Sequence, residues 1–61
     1  MFAIELTGTT VTAQYSGTNP PKGFIVVENN IPTPEVHIGF YPELHYTKEK
    51  GFYYEYRPMN N

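Results

Sequence analysis

By type and spacing, the residues best suited to chemistry in this chain are two Glu-x-His pairs, Glu35-x-His37 and Glu43-x-His45. Residues two apart on a strand share a face, so each pair presents a carboxylate and an imidazole side by side. Four such ligands drawn together could hold a metal ion. A structural reading competes with that one. Alternation across a hairpin sets His45 beside Glu55 and Glu43 beside Arg57, which satisfies both without an ion. A metal site also needs a supporting outer layer that spacing alone does not provide. The expectation is no metal. Catalysis has less to work with. The chain has no cysteine and no aspartate, and Ser16 and the threonines fall in turns or on strand faces with no base beside them. The glutamates show no spacing that would oppose an acid and a base across a cleft, and a sheet this small leaves little room for a ligand-sized pocket. The expectation is a non-enzymatic protein with no cofactor.

The element that must position Glu43 and His45 is the best-specified part of the chain. From Glu43 to Arg57, two runs of alternating residues flank a polar loop ending in Gly51, the pattern of a β-hairpin. With a loop of Glu49-Lys50-Gly51 and Gly51 in the left-handed conformation, Leu44 faces Tyr56 and Tyr46 faces Tyr54. On the other side Glu43 meets Arg57, His45 meets Glu55, and Thr47 meets Tyr53. One face is aromatic and the other polar, with opposite charges paired. A slip of one residue would mix them.

A second hairpin is expected at the other end. Phe2, Ile4 and Leu6 alternate with polar or small residues, Gly8-Thr9 reads as a type II′ turn, and Val11, Ala13 and Tyr15 return. That register pairs Leu6 with Val11, Ile4 with Ala13 and Phe2 with Tyr15. The stretch from Ser16 to Gly23 is loop. Phe24-Ile25-Val26-Val27 is a continuous apolar run, as in a strand covered on both faces, and in so short a chain the second cover could be another subunit. Residues 29–34 form an extended, proline-rich loop. Val36, Ile38 and Phe40 alternate as a further strand, and Pro42 opens the turn into the last hairpin. No segment has helical periodicity. The reading is one all-β domain spanning residues 1–61, with five or six short antiparallel strands in a meander or small open barrel.

With 61 residues and no cysteine, the chain lies near the lower size limit for independent folding and has no disulfide to support it. Either its ten Phe and Tyr residues make an unusually aromatic core, or another copy or a partner completes one. The formal charge is −2, so no basic surplus attracts a phosphate backbone, and nucleic acid is not an expected partner. The first residues lack the basic region and apolar run of a signal peptide, and no segment approaches the length needed to span a bilayer. Membrane association is not expected.

Lys22-Gly23-Phe24 and Lys50-Gly51-Phe52 recur 28 residues apart, each before a strand; the simpler reading is a shared way of opening a strand rather than a duplication. Lys-Gly-Phe also invites comparison with small oligonucleotide-binding barrels, but the charge and a second aromatic-basic motif are missing. Interfaces favour Tyr. With Tyr46, Tyr54 and Tyr56 on the core face of the hairpin, Tyr41 and Tyr53 are left to meet a partner. Together with Arg57 they are the first interface candidates; the strand Phe24, Ile25, Val26, Val27 and the loop residues Pro32 and Pro34 are the second.

Pro-Pro-Lys-Gly-Phe-Ile-Val-Val-Glu (20–28), the Pro-x-Pro loop at 32–34, Leu44-x-Tyr46, and Gly-Phe-Tyr-Tyr-Glu-Tyr-Arg-Pro (51–58) together resemble short β-rich proteins of phages and prophages of Gram-positive bacteria, encoded among tail, baseplate and lysis genes. The resemblance covers roughly residues 20–58. Such a β-rich head is often followed by a polar or helical tail, which this sequence, ending at Asn61, lacks; the expectation from the resemblance is a variant or a fragment of the type. The resemblance implies a structural or accessory role without catalytic residues, in the host cytoplasm or in the virion. Homo-oligomerisation or docking on a larger virion or host protein would be its mode of action. The alternatives are a small phage-encoded inhibitor of a host enzyme and, behind it, a single-stranded nucleic-acid-binding barrel.

Overall fold

The computed structural model describes residues 1–59, which form five strands and no helix: β1 (Phe2–Thr7), β2 (Thr10–Ser16), β3 (Ile25–Val27), β4 (Phe40–Thr47) and β5 (Gly51–Pro58). They make one antiparallel sheet in the order β3-β1-β2-β4-β5, open and curled into a half-barrel. Both expected hairpins are present, as β1–β2 and β4–β5. The order is not a simple meander, because β3 crosses back to the far side of β1.

The β1–β2 turn is built as its residues dictate. Gly8 has φ +63°, while Thr9 stays at negative φ, the combination a type II′ turn needs. Next to the turn, Leu6 pairs with Val11 as read from the sequence; beyond it, the pairing shifts. A β-bulge leaves Thr12 as an extra residue, with its hydroxyl donating to the Glu5 carbonyl at 3.2 Å. Ala3 therefore pairs with Tyr15, and Ile4 with Gln14. The expected pairs Ile4–Ala13 and Phe2–Tyr15 are not formed.

The core sits on β1. Ala3 and Ile4 are both fully buried, although neighbours on a strand point to opposite faces. β1 is thus the strand covered on both sides. The sequence had suggested the Phe24–Val27 run for that place, and this is corrected: β3 is a three-residue edge strand with Ile25 44% and Val26 59% exposed. Its apolar run reflects one ladder with β1 and an open outer edge. A further strand at Val36–Ile38 is also absent. Those side chains are 93% and 97% exposed, Ile38-Gly39 forms a turn closed by the Phe40 amide donating to the His37 carbonyl, and Pro42 lies inside β4 rather than in a turn.

In the second hairpin, Thr47 pairs with Gly51, Tyr46 with Phe52, Leu44 with Tyr54 and His45 with Tyr53. The loop is therefore Lys48-Glu49-Lys50, and every pair is displaced by two residues from the sequence reading. The Thr47 hydroxyl accepts from the Lys50 amide at 3.1 Å, closing the turn one position earlier, and Gly51 (φ +71°) follows as the left-handed residue. A shift of two keeps each side chain on its face, so the aromatic face (Leu44, Tyr46, Phe52, Tyr54, Tyr56) and the polar face survive with new partners.

The two halves of the sheet meet narrowly. β2 and β4 share one residue pair, Thr10 with His45, reinforced by the Tyr46 amide donating to the Thr9 carbonyl at 2.8 Å.

Candidate functional site

The polar face of β4–β5 gathers the titratable residues. His45 is its centre: 3% exposed, with its ring stacked on Tyr53 (centroids 5.4 Å apart, planes at 19°). Its Nε2 lies 2.7 Å from Glu43 Oε1, and its Nδ1 lies 2.7 Å from Thr9 Oγ1. A carboxylate can only accept, so Nε2 carries a proton; in the neutral ring Nδ1 then accepts from the Thr9 hydroxyl. His45 thereby ties the tip of the first hairpin to the second. The sequence offered no signal for Thr9, which is 36 residues away.

The displaced register places Glu43 directly opposite Glu55, two like charges that would repel. Arg57 resolves this. Its Nη2 is 3.0 Å from Glu43 Oε1 and 3.1 Å from Glu55 Oε1, and its Nε also donates to Glu43 at 3.1 Å. Hydrogen bonds from His45 and then Arg57 hold the Glu43 carboxyl below its ordinary range, and the same pairing raises the Arg57 guanidinium. The expected Glu43–Arg57 pair exists, but as a diagonal contact. His45 and Glu55 stand 3.5 Å apart.

The two Glu-x-His pairs do not converge. Glu35 and His37 lie beside the aromatic face, where the His37 ring packs on Tyr56 at 4.2 Å and the Glu35 amide donates to the Tyr56 hydroxyl at 2.9 Å. The grouping that does form is Glu43, His45 and Glu55, whose ligand atoms lie within 4.8 Å of one another. The guanidinium of Arg57 already bridges both of its carboxylates, occupying the place a cation would take. No ligand-sized cavity opens among the described residues.

The interface candidates fall in three places. Tyr41 and Arg57, which pair across β4–β5, are exposed on the polar face; Tyr53 shares that face but is half-buried between His45 and the Lys50 ammonium, 5.0 Å from its ring. β3 lies at the opposite end of the sheet: Ile25 and Val26 are open, Val27 is half-buried, and Phe24 is half-buried with its ring edge-on to Tyr15. Pro32 and Pro34 are exposed on a loop that crosses the aromatic face, held where the Tyr54 hydroxyl donates to the Pro32 carbonyl at 2.8 Å. The sequence reading missed a further apolar group, Val36, Ile38, Phe40 and Met59, exposed around the start of β4 and the end of β5. No protein-family model, characterised protein or solved structure matches the chain.

Proposed function

We propose that this chain is a non-enzymatic interaction module, working by association with a second copy or by docking on a larger protein. The observation that carries this is how little the chain covers by itself. Among the described residues, the buried apolar side chains are Ala3, Ile4 and Phe52, whereas Met1, Ile25, Val26, Val36, Ile38, Phe40, Tyr41 and Met59 are exposed. The accessible surface is 4657 Å², against roughly 4,000 Å² for a compact folded chain of this mass. The radius of gyration is 12.8 Å, where about 10.5 Å is usual for this length. A chain so extended and so thinly buried has apolar surface to give to a partner.

We propose further, on the motif resemblance alone, a phage structural or accessory protein acting in the host cell or in the particle. An inhibitor of a host enzyme would use glutamates gathered on one surface. The two that meet, Glu43 and Glu55, are tied to Arg57, so the interaction module is the better reading.

Urea unfolding followed over about a hundredfold range of protein concentration tests it, since association of folded chains makes the midpoint depend on concentration. A midpoint that rises with concentration supports self-association. A low midpoint that does not move supports a heterologous partner that completes the core. A high, unmoving midpoint refutes the proposal, because the chain would then need no cover.

A further inference from the structure

We infer that this chain pairs with a second copy by exchanging halves: residues 32–59 of each copy dock on residues 1–27 of the other, across the corner that joins β2 to β4. The inference rests on the interaction reading above and names its partner and its mode.

The chain divides into two units by where its bonds run. In the first, β1 is laddered to both β2 and β3, Met1 and Gly17 exchange bonds at 2.7 and 3.0 Å, and the Tyr15 hydroxyl accepts from the Asn19 amide at 3.1 Å. In the second, the segment ahead of β4 is bound to β5. The Tyr54 hydroxyl donates to the Pro32 carbonyl, the Tyr56 hydroxyl accepts from the Glu35 amide, and the His37 ring packs on Tyr56. Residues 32–39 therefore travel with the β4–β5 hairpin. Among the described residues, hydrogen bonds between the two units are confined to one corner: the Thr10–His45 pair, the Tyr46 amide on the Thr9 carbonyl, and the Thr9 hydroxyl on His45.

What links the units covalently is the strap Glu28-Asn29-Asn30-Ile31, whose first three residues are exposed. It is short. From the Cα of Val27 to that of Pro32 it reaches about 17–18 Å at full extension. The edges it must connect, β3 and β5, would stand about 19 Å apart were the sheet flat. Within one chain the strap can therefore reach the second unit only over a curled sheet. A strap that joins two copies carries no such condition, and short connections are where elements are most readily exchanged between copies.

Exchange gives up none of the corner's bonds, because both surfaces of the corner are present on every copy and meet identically between chains. It also brings the two connecting segments together at the two-fold axis. Those segments carry Val36 and Ile38, which are 93% and 97% exposed in the single chain.

Lengthening the strap separates the two arrangements. With about six Gly and Ser residues inserted between Asn29 and Asn30, the halves of one chain can close on each other freely. The wild type should then scatter light as a dimer and the insertion variant as a monomer at the same concentration. A second variant reads the corner itself. Thr10 and His45 are paired residues of antiparallel strands, about 4.5–5.5 Å apart at Cα and so within reach of a disulfide, and the chain has no cysteine of its own. In Thr10→Cys/His45→Cys, exchange makes the oxidised product a covalent dimer on a non-reducing denaturing gel, whereas a closed chain makes it a monomer with an internal bond. A wild-type dimer that survives the insertion, or a corner disulfide formed within one chain, overturns the exchange and moves association to a surface of the closed chain. A wild type that stays monomeric throughout overturns the second copy as the partner, and the urea series then judges the interaction reading by itself.

Discussion

If the Thr9–His45 hydrogen bond holds the two hairpins together, the two side chains must be energetically coupled. The contact is short, 2.7 Å, and its imidazole is 3% exposed. A typical hydrogen bond contributes about 1 kcal/mol net, and a polar atom left buried without a partner costs about 1–3 kcal/mol. Thr9 itself is exposed, so water can approach the vacated place, and the lower part of that range applies: Thr9→Val should cost about 1–2 kcal/mol. The His45→Phe variant keeps a ring against Tyr53 and removes both nitrogens. In that background Thr9→Val has no bond left to break and should cost only its effect on the turn, which the comparison cancels. The coupling expected from the four proteins is about 1 kcal/mol, read as a difference of about 1 M in urea midpoint for a slope typical of small domains. A coupling below about 0.3 kcal/mol, the ordinary error of additivity, would refute the latch.

Three further outcomes follow from single contacts. Gly51 sits at φ +71° with nothing within 4 Å of an added Cβ, so Gly51→Ala should cost about 1–2 kcal/mol from backbone strain alone, and Gly51→Asn less, in thermal unfolding. The Glu43 carboxyl is held below its ordinary range by His45 and Arg57. Its contribution is therefore complete above the unfolded value, roughly pH 4.3, and lost as pH falls through the depressed folded value; the melting temperature of the wild type should fall more steeply there than that of Glu43→Gln, and parallel curves would refute this. Tyr54→Phe removes the bond to the Pro32 carbonyl, which should lower stability by about 1 kcal/mol and speed hydrogen exchange in residues 31–37 while leaving β1 protected.

The sequence carried the local signals well and the long-range ones poorly. Gly8-Thr9 and Gly51 named their turns because a left-handed residue is a strong local demand, and alternation named the faces of both hairpins. The displaced register of β4–β5 depended on the Thr47 hydroxyl, a side chain equally at home in a strand or in a turn. The bulge at Thr12 had no marker, since nothing in Val11-Thr12-Ala13 announces an extra residue. Val36 and Ile38 alternate like a strand, but a strand needs a neighbour to pair with, and the chain supplies none there. Apolar composition likewise could not tell an edge from a centre: Ile25-Val26-Val27 reads as more hydrophobic than Phe2-Ala3-Ile4, yet the latter is the strand enclosed on both sides. Within the titratable cluster, Glu43, His45, Glu55 and Arg57 were legible as neighbours because they share one face of one hairpin. Thr9 belongs to a contact that only the curl of the sheet creates.

The single residue pair joining β2 to β4 also bears on how quickly the fold can assemble. Each hairpin closes a short loop and can form in about 1–10 μs. Thr10 and His45, by contrast, must find each other across 34 intervening residues, and that closure is stabilised by a narrow contact rather than a long ladder. The slow step of folding should therefore be the docking of two preformed ribbons at this corner, with Thr9 and His45 forming their bond late. Substitutions there would accelerate unfolding while leaving the refolding rate nearly unchanged.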